Sequence, residues 1–235
     1  MDLYPTIFTR HSVHSFDPAP LDRATLEAIV QAARQADHLT DQAARIEVAS
    51  ADQVKGSSAP HHLLAFTVQD DAGFADAGYV LQQADLAIQA QGLGSHWIGL
   101  AKPKVKAAGF TILLAFGRTD EGPRPAADFK RLALAEISDQ AELSDQAGAV
   151  AEAVRLAPSG MNDQPWRLRF GEGLVSLIHT RRGPWSRLLV KKMDKVSLGI
   201  ATRHAVIALE HEGRQVTSVS PVAGPDQFRI DVAYR

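Results

Sequence analysis

Between Gly78 and Gln91 the chain carries Tyr79, Val80, Leu81, Ala84, Leu86, Ala87, Ile88 and Ala90, apolar on nearly every face of a helix. Such a helix is stable only when it is buried all round, so other elements must pack on every side of it. Gly92 and Gly94 follow as stop signals. A second helical stretch, Val196 to Glu212, stands 121 residues downstream, with Gly199 and Gly213 at the same offset from Gly78 and Gly92. Glu27-Ala28 and Glu152-Ala153, on the helices that precede these two, align at an offset of 125. The pair of offsets predicts a duplicated α+β unit, with half one at 1–135, half two at 136–235, and both together forming one globular unit.

The other elements follow from local patterning. Leu26, Ile29, Val30 and Ala33 mark a helix over Leu21 to Gln35, entered from Pro20. Ala36 to Ser58 is polar and weakly patterned. His62 to Val68 and Thr111 to Phe116 read as strands, and Thr119 to Ala127 as loop. In half two, Ala149 to Ala157 reads as a helix, and Trp166 to Phe170 with Leu174 to His179 as a hairpin about Gly171–Gly173. Strands are expected near Gln215 to Val219 and Gln227 to Tyr234.

Composition excludes several functions. The chain of 235 residues has 25 Lys+Arg and 27 Asp+Glu, a balance without the basic excess of a general nucleic-acid binder. It has no cysteine, which removes disulfides, thiolate nucleophiles and iron–sulfur ligation. No stretch reaches the roughly 20 apolar residues of a spanning helix, and Met1 to Arg10 has no apolar leader pattern. These features predict a cytoplasmic protein with neither nucleic-acid nor membrane partners. No metal site is expected, because His61 and His62 point to opposite faces of a strand and His204 and His211 lack a third ligand.

Four segments carry possible chemistry. Pro158-Ser159-Gly160-Met161-Asn162-Asp163-Gln164-Pro165-Trp166 connects a helix to a strand. Its Asn162 and Gln164 amides suit a heterocycle edge or a polyol chain. Arg10-His11-Ser12-Val13-His14 combines a guanidinium fork with two imidazoles and a hydroxyl, a plausible anion pocket. Gly92 to Gly99 would let a backbone approach a flat ligand closely, with Trp97, Ile98 and Gly99 at its end. Phe129-Lys130-Arg131 offers two cations. Each has a plainer reading as a connection, a solvated basic turn, a core tryptophan or a surface charge pair.

Taken together, these segments resemble the nitroreductase-like flavoproteins. Arg10-His11-Ser12 followed by Phe16 is similar to the family's N-terminal arm, and Pro158 to Trp166 to its Pro-Ser-x-x-Asn-x-Gln-Pro-Trp signature. Gly92 to Gly99 is similar to its Gly-Leu-Gly-x-x-Trp-x-Gly segment, and Phe116-Gly117-Arg118 with Phe129-Lys130-Arg131 to its last strand and basic tail. The signature lies about 150 residues after the arm. That order resembles the single-chain subgroup first recognised in a thermophile, where two halves form a dimer-like fold.

The resemblance implies an α+β fold: a mixed or antiparallel sheet with packed helices, in two pseudo-symmetric halves. It implies FMN as cofactor, NAD(P)H as donor and a nitroaromatic, quinone or similar acceptor. The flavin N5 is then the reactive centre and no side chain is catalytic. The expected cofactor set is Arg10, His11, Ser12, His14, Trp97, Ile98, Gly99, Lys130, Arg131, Pro158, Ser159, Gly160, Asn162 and Gln164. Arg10, Lys130 and Arg131 would hold phosphate. Ser12, Ser159, Asn162 and Gln164 would bond ribityl hydroxyls and ring heteroatoms, and backbone N–H groups near Ile98–Gly99 would meet the reduced ring. A monomer suffices, since both walls lie in one chain. His14 departs from the family's usual Arg or Lys. A flavin-sequestering protein or a relative without flavin would fit the same motifs.

Overall fold

The computed structural model describes residues 2–140, 142–180, 191–224 and 227–235. Six α-helices are described: α1 (Tyr4–Ile7), α2 (Arg23–Arg34), α3 (Asp71–Ala90), α4 (Leu134–Ile137), α5 (Asp145–Arg155) and α6 (Lys191–His211). The strands of half one are β1 (Arg45–Ser50), β2 (Val54–Lys55), β3 (His61–Phe66), β4 (Gly94–Ile98), β5 (Lys102–Pro103) and β6 (Phe110–Gly117). Those of half two are β7 (Trp166–Gly171), β8 (Leu174–His179), β9 (Val216–Ala223) and β10 (Phe228–Tyr234).

Helix starts follow from short polar caps. Asp22 accepts from Thr25 N at 2.9 Å, Asp70 from Gly73 N at 2.7 Å and Ser144 from Ala147 N at 3.3 Å, each satisfying an N–H that the first turn leaves open. The cap at Asp70 starts α3 seven residues before Gly78. Gly78 is therefore not a boundary, as the sequence suggests, but a mid-helix residue.

Two antiparallel four-stranded sheets form, in the orders β1-β3-β6-β4 and β7-β8-β10-β9. In each, the chain runs helix, two strands, long helix, two strands, and the last strand inserts between the second and third. β1 and β4 are absent from the sequence reading. β1 alternates poorly because only Ile46 and Ala49 are buried on it, and Gly92 with Gly94 at the start of β4 read as stop signals. The last strand of the first sheet, β6, is apolar apart from Thr111 and almost wholly buried.

The long helices α3 and α6 pack against each other, α3 resting on the first sheet and α6 on the second. Their crossing is a backbone contact. A Cβ on Gly78 would lie 2.0 Å from Val196 O, and one on Gly199 would lie 1.8 Å from Ala75 O. Ala75 and Val196 stand at the same 121-residue offset as Gly78 and Gly199, so the crossing has local two-fold character. The glycines' lost helix propensity, about 1 kcal/mol each, is offset by the close packing they permit.

Polar ties flank the crossing. Gln82 Nε2 lies 3.1 Å from His204 Nε2, and His204 Nδ1 lies 2.8 Å from Ala153 O, joining α3, α6 and α5. With Nδ1–H donating to the carbonyl, Nε2 accepts from the amide, and the ring is neutral. Arg203 lies over the Tyr79 ring at 3.6 Å.

Two outcomes follow. Gly199→Ala should lower stability by about 3 kcal/mol or more, since overpacking here meets backbone rather than a movable side chain; calorimetry of the variant checks this. Acid should also destabilise the fold. Burial pushes His204 down to about 4, as it does His62 and His96. The unfolded chain therefore takes up protons that the folded one refuses. Stability is full above about pH 6.5 and falls toward pH 4, with His204 alone contributing about 3 kcal/mol. Denaturant titration across that range should show the fall, and His204→Gln should flatten it.

Candidate functional site

The N-terminal arm leaves α1 through Phe8 and runs extended beside β4, with Val13 N donating to Ser95 O at 3.0 Å. Arg10 turns inward and is almost fully buried. Its Nε donates to Asp85 Oδ2 at 2.6 Å, deep on α3. Asp85 has no exposure and also accepts from Ser95 Oγ and, at 3.4 Å, from Trp97 Nε1. One helical turn on, Gln89 closes a second clamp. Its Oε1 accepts from His11 N at 3.1 Å, and its Nε2 donates to His11 O at 2.6 Å and to Ser95 Oγ at 2.7 Å. Arm, α3 and β4 are thus one buried polar unit. Asp85, Gln89 and Ser95 are absent from the sequence-based set. A carboxylate within an all-round buried helix was the available signal, since it requires a buried cation partner.

The signature segment forms a tight loop. Gln164 N donates to Ser159 Oγ at 2.9 Å, and Gly160 N donates to Ser197 Oγ on α6 at 3.1 Å. Its two amides grip the chain that crosses from half one. Asn162 Nδ2 donates to Lys130 O at 2.7 Å, Asn162 Oδ1 accepts from Arg131 Nη1 at 2.7 Å, and Gln164 Oε1 accepts from Leu132 N at 2.9 Å. In this geometry both amides position residues 130–132, in place of the ring and ribityl contacts expected of them. Lys130 is exposed, whereas Arg131 is mostly sheltered and also reaches Leu156 O at 3.2 Å. Burial, with the charges of Arg10 and Arg155, pulls the Arg131 guanidinium down to about 10, still protonated at neutral pH.

These segments converge. Arg10 and Arg131 are close enough to act on each other's charge. Met193, at the start of α6, packs on both Gly99 and Gly160: a Cβ on Gly99 would lie 3.2 Å from its Sδ, and one on Gly160 3.5 Å from its Cβ. Arg10, Trp97, Gly99, Arg131 and the 158–164 loop therefore surround one region between the halves. Ser12, two residues on from Arg10, is half-buried. His11 is held through its backbone, its Nε2 3.5 Å from Glu121. The His14 ring lies against that of His96, tilted by 55° with the centroids 4.2 Å apart, and with Ile98, Phe16, Ser57 and Ser58 it lines a neighbouring cavity of about 360 Å³.

Arg10 Nη2 and Arg131 Nε are buried without hydrogen-bond partners among the described residues. Arg10 is paired with the buried Asp85 carboxylate and Arg131 is held by an amide and a carbonyl, and each guanidinium keeps an open N–H. Buried donors of this kind are costly unless a ligand completes them. The arrangement fits a compact polyanion.

The pseudo-equivalent region of half one is closed. Asp76 on α3 accepts from Leu39 N at 2.6 Å and Ala44 N at 2.8 Å, and lies 3.0 Å from His38 Nδ1. At the 121-residue offset Asp76 corresponds to Ser197, which holds Gly160. A carboxylate tethers one loop where a hydroxyl tethers the other.

The 158–164 loop is strained. Met161, Asn162 and Gln164 have φ of 53°, 59° and 47°. This left-handed region disfavours side chains with a Cβ. Met161 is 84% exposed, so its side chain gains little packing in return. Met161→Gly should therefore stabilise the fold by about 1 kcal/mol, read as a raised midpoint in urea.

A family model described as "Putative TM nitroreductase" matches residues 2–209. Among solved structures, a "putative nitroreductase" from Thermotoga maritima superimposes with a TM-score of 0.73 at 19% identity, covering 99% of this chain and 94% of that one. That likeness shows the nitroreductase-like α+β fold over the whole length. A nitroreductase family protein from Clostridium difficile 630 gives a TM-score of 0.48 at 17% identity, covering 61% of this chain and 99% of its own. A "putative nitroreductase in complex with FMN" from Desulfovibrio desulfuricans gives 0.47 at 18%, covering 61% and 99%. Among curated proteins, none matches the sequence.

Proposed function

The chain belongs to the family described as "Putative TM nitroreductase", and from that premise we propose that it is an FMN-dependent oxidoreductase. In this reading it takes electrons from NAD(P)H and passes them to a nitroaromatic, quinone or similar small acceptor. The observation that carries the reading is the pair of open N–H groups on Arg10 and Arg131. Both are buried and unpartnered, one on the arm and the other on the stretch that the signature loop holds, and a phosphate dianion would complete both. The donor set therefore fits the phosphate end of FMN.

When bound, FMN supplies the redox-active ring, and the protein supplies position and electrostatics. Arg10 and Arg131 hold the phosphate, with the exposed Lys130 adding charge at the rim. The Ser12 hydroxyl, two residues on along the arm, would add a donor. Asn162 and Gln164 act by fixing residues 130–132, and so the Arg131 guanidinium, at the site. Ser159 and Gly160 shape the wall contributed by half two, while Ile98 and Gly99 present backbone on the opposite wall. Met193 packs between Gly99 and Gly160. No side chain is assigned as general acid or base.

The purified protein should be yellow or take up added FMN, and should oxidise NAD(P)H with an acceptor present. A colourless protein that binds no FMN at micromolar concentration overturns the reading; one that binds flavin without consuming NAD(P)H is a sequestering protein instead.

Two further outcomes separate the residues. Arg131→Gln should cost FMN affinity about 1.5–3 kcal/mol, the worth of a charge-assisted bond, and riboflavin affinity far less; fluorescence titration with both ligands checks this. Arg131 is the cleaner probe, because Arg10→Ala would also leave Asp85 buried and unpaired. We also expect one FMN per chain, because the Asp76 carboxylate occupies the corresponding loop of half one and would repel a second phosphate. Flavin extraction against protein concentration, with light scattering for mass, measures this.

A further inference from the structure

Asp85 presents a contradiction. An anion site should be lined by cations, yet the group that contacts Arg10 most closely is a fully buried carboxylate. In a poorly hydrated interior that negative charge opposes a phosphate nearby. At the same offset that relates Gly78 to Gly199, Asp85 corresponds to Val206 and Gln89 to Glu210. Half two thus lacks the device, and neither packing nor the helix crossing requires a carboxylate at this place.

The bonds around Asp85 explain its presence. Oδ2 takes Arg10 Nε at 2.6 Å, which fixes the plane of the guanidinium and leaves Nη2 unpartnered. Oδ1 takes the Ser95 hydroxyl, whose oxygen also accepts from Gln89 Nε2 at 2.7 Å. Gln89 in turn holds both backbone groups of His11, the residue after Arg10. Arg10 is therefore held at its side chain and at the next peptide by two residues one helical turn apart on α3. A long, flexible side chain is made rigid before any ligand arrives, so less of its rotamer entropy is lost on binding.

We propose that Asp85 is the positioning residue of the phosphate pocket: it locks the Arg10 guanidinium so that Nη2 is presented to the FMN phosphate, with Gln89 and Ser95 bracing the lock. The proposal rests on the flavin reading above and adds a residue to it.

Electrostatics and positioning predict opposite signs for one substitution. If Asp85 acted on phosphate through its charge alone, Asp85→Asn would remove a repulsion and tighten FMN binding. As a positioning residue, its loss frees Arg10 and weakens FMN binding, by about tenfold, with riboflavin affinity almost unchanged. In an Arg10→Gln background Asp85→Asn should then have no further effect on the FMN-to-riboflavin ratio. Ser95→Ala, which removes one brace but keeps the ion pair, should shift that ratio in the same direction by about threefold, and serves where Asp85→Asn does not fold.

Fluorescence titrations of wild type and variants with FMN and riboflavin provide the test, with circular dichroism confirming folded protein. Unchanged or tighter FMN binding by folded Asp85→Asn overturns the positioning role. So does an equal loss of both flavins, or a ratio that still shifts without Arg10. If Asp85→Asn does not fold, an unchanged ratio in Ser95→Ala overturns it. A wild-type chain that binds neither flavin overturns the flavin reading itself, and is told apart by failing before any variant is made.

Discussion

The contact between α3 and α6 at Gly78 and Gly199 sets the geometry on which the rest depends. Two helices that meet backbone to backbone leave no room for adjustment, so the relative placement of the two sheets is fixed at that point. Arg10 is attached to α3 through Asp85, and Gly160 is attached to α6 through Ser197. The distance between the two walls of the candidate site is therefore inherited from the helix crossing. A side chain at either glycine would act on the site without touching it.

The halves share a chain path and a sheet order but not their polar residues. On α3, Asp76 closes the loop that follows α2, and Asp85 secures the arm. Their counterparts on α6 are Ser197 and Val206. A hydroxyl leaves its loop neutral and shaped, whereas a carboxylate draws its loop shut. The backbone path is thus repeated, where packing demands it, and the buried charges differ.

Much of this was legible in the sequence. The all-round apolar helix and the strand over Thr111 to Phe116 are periodic or compositional signals that mark real elements, and the repeated glycine offset picks out the two residues at the helix crossing rather than a helix start. β1 was illegible because an edge strand with two buried side chains carries almost no alternation. β4 was misread because its neighbouring glycines signal turns, whereas Gly94 is confined by Val13 and Thr119. The arm, the signature loop and the basic pair could each be found by residue type. Their mutual engagement could not: that the Asn162 amide would hold Lys130 and Arg131 depends on contacts 31 and 32 residues apart. The role of Asp85 depends on a partner 75 residues away.

The same crossing has a consequence for biosynthesis. α3 is complete by residue 90, but the helix that covers its far face begins at residue 191. During synthesis, at about 5–20 residues per second, the nascent first half must wait for roughly another hundred residues before Tyr79 and Gln82 meet Arg203 and His204. Contacts this distant in sequence close slowly. Half one on its own would therefore leave the α3 face at Gly78 uncovered, and the two halves are one folding unit rather than two modules joined end to end.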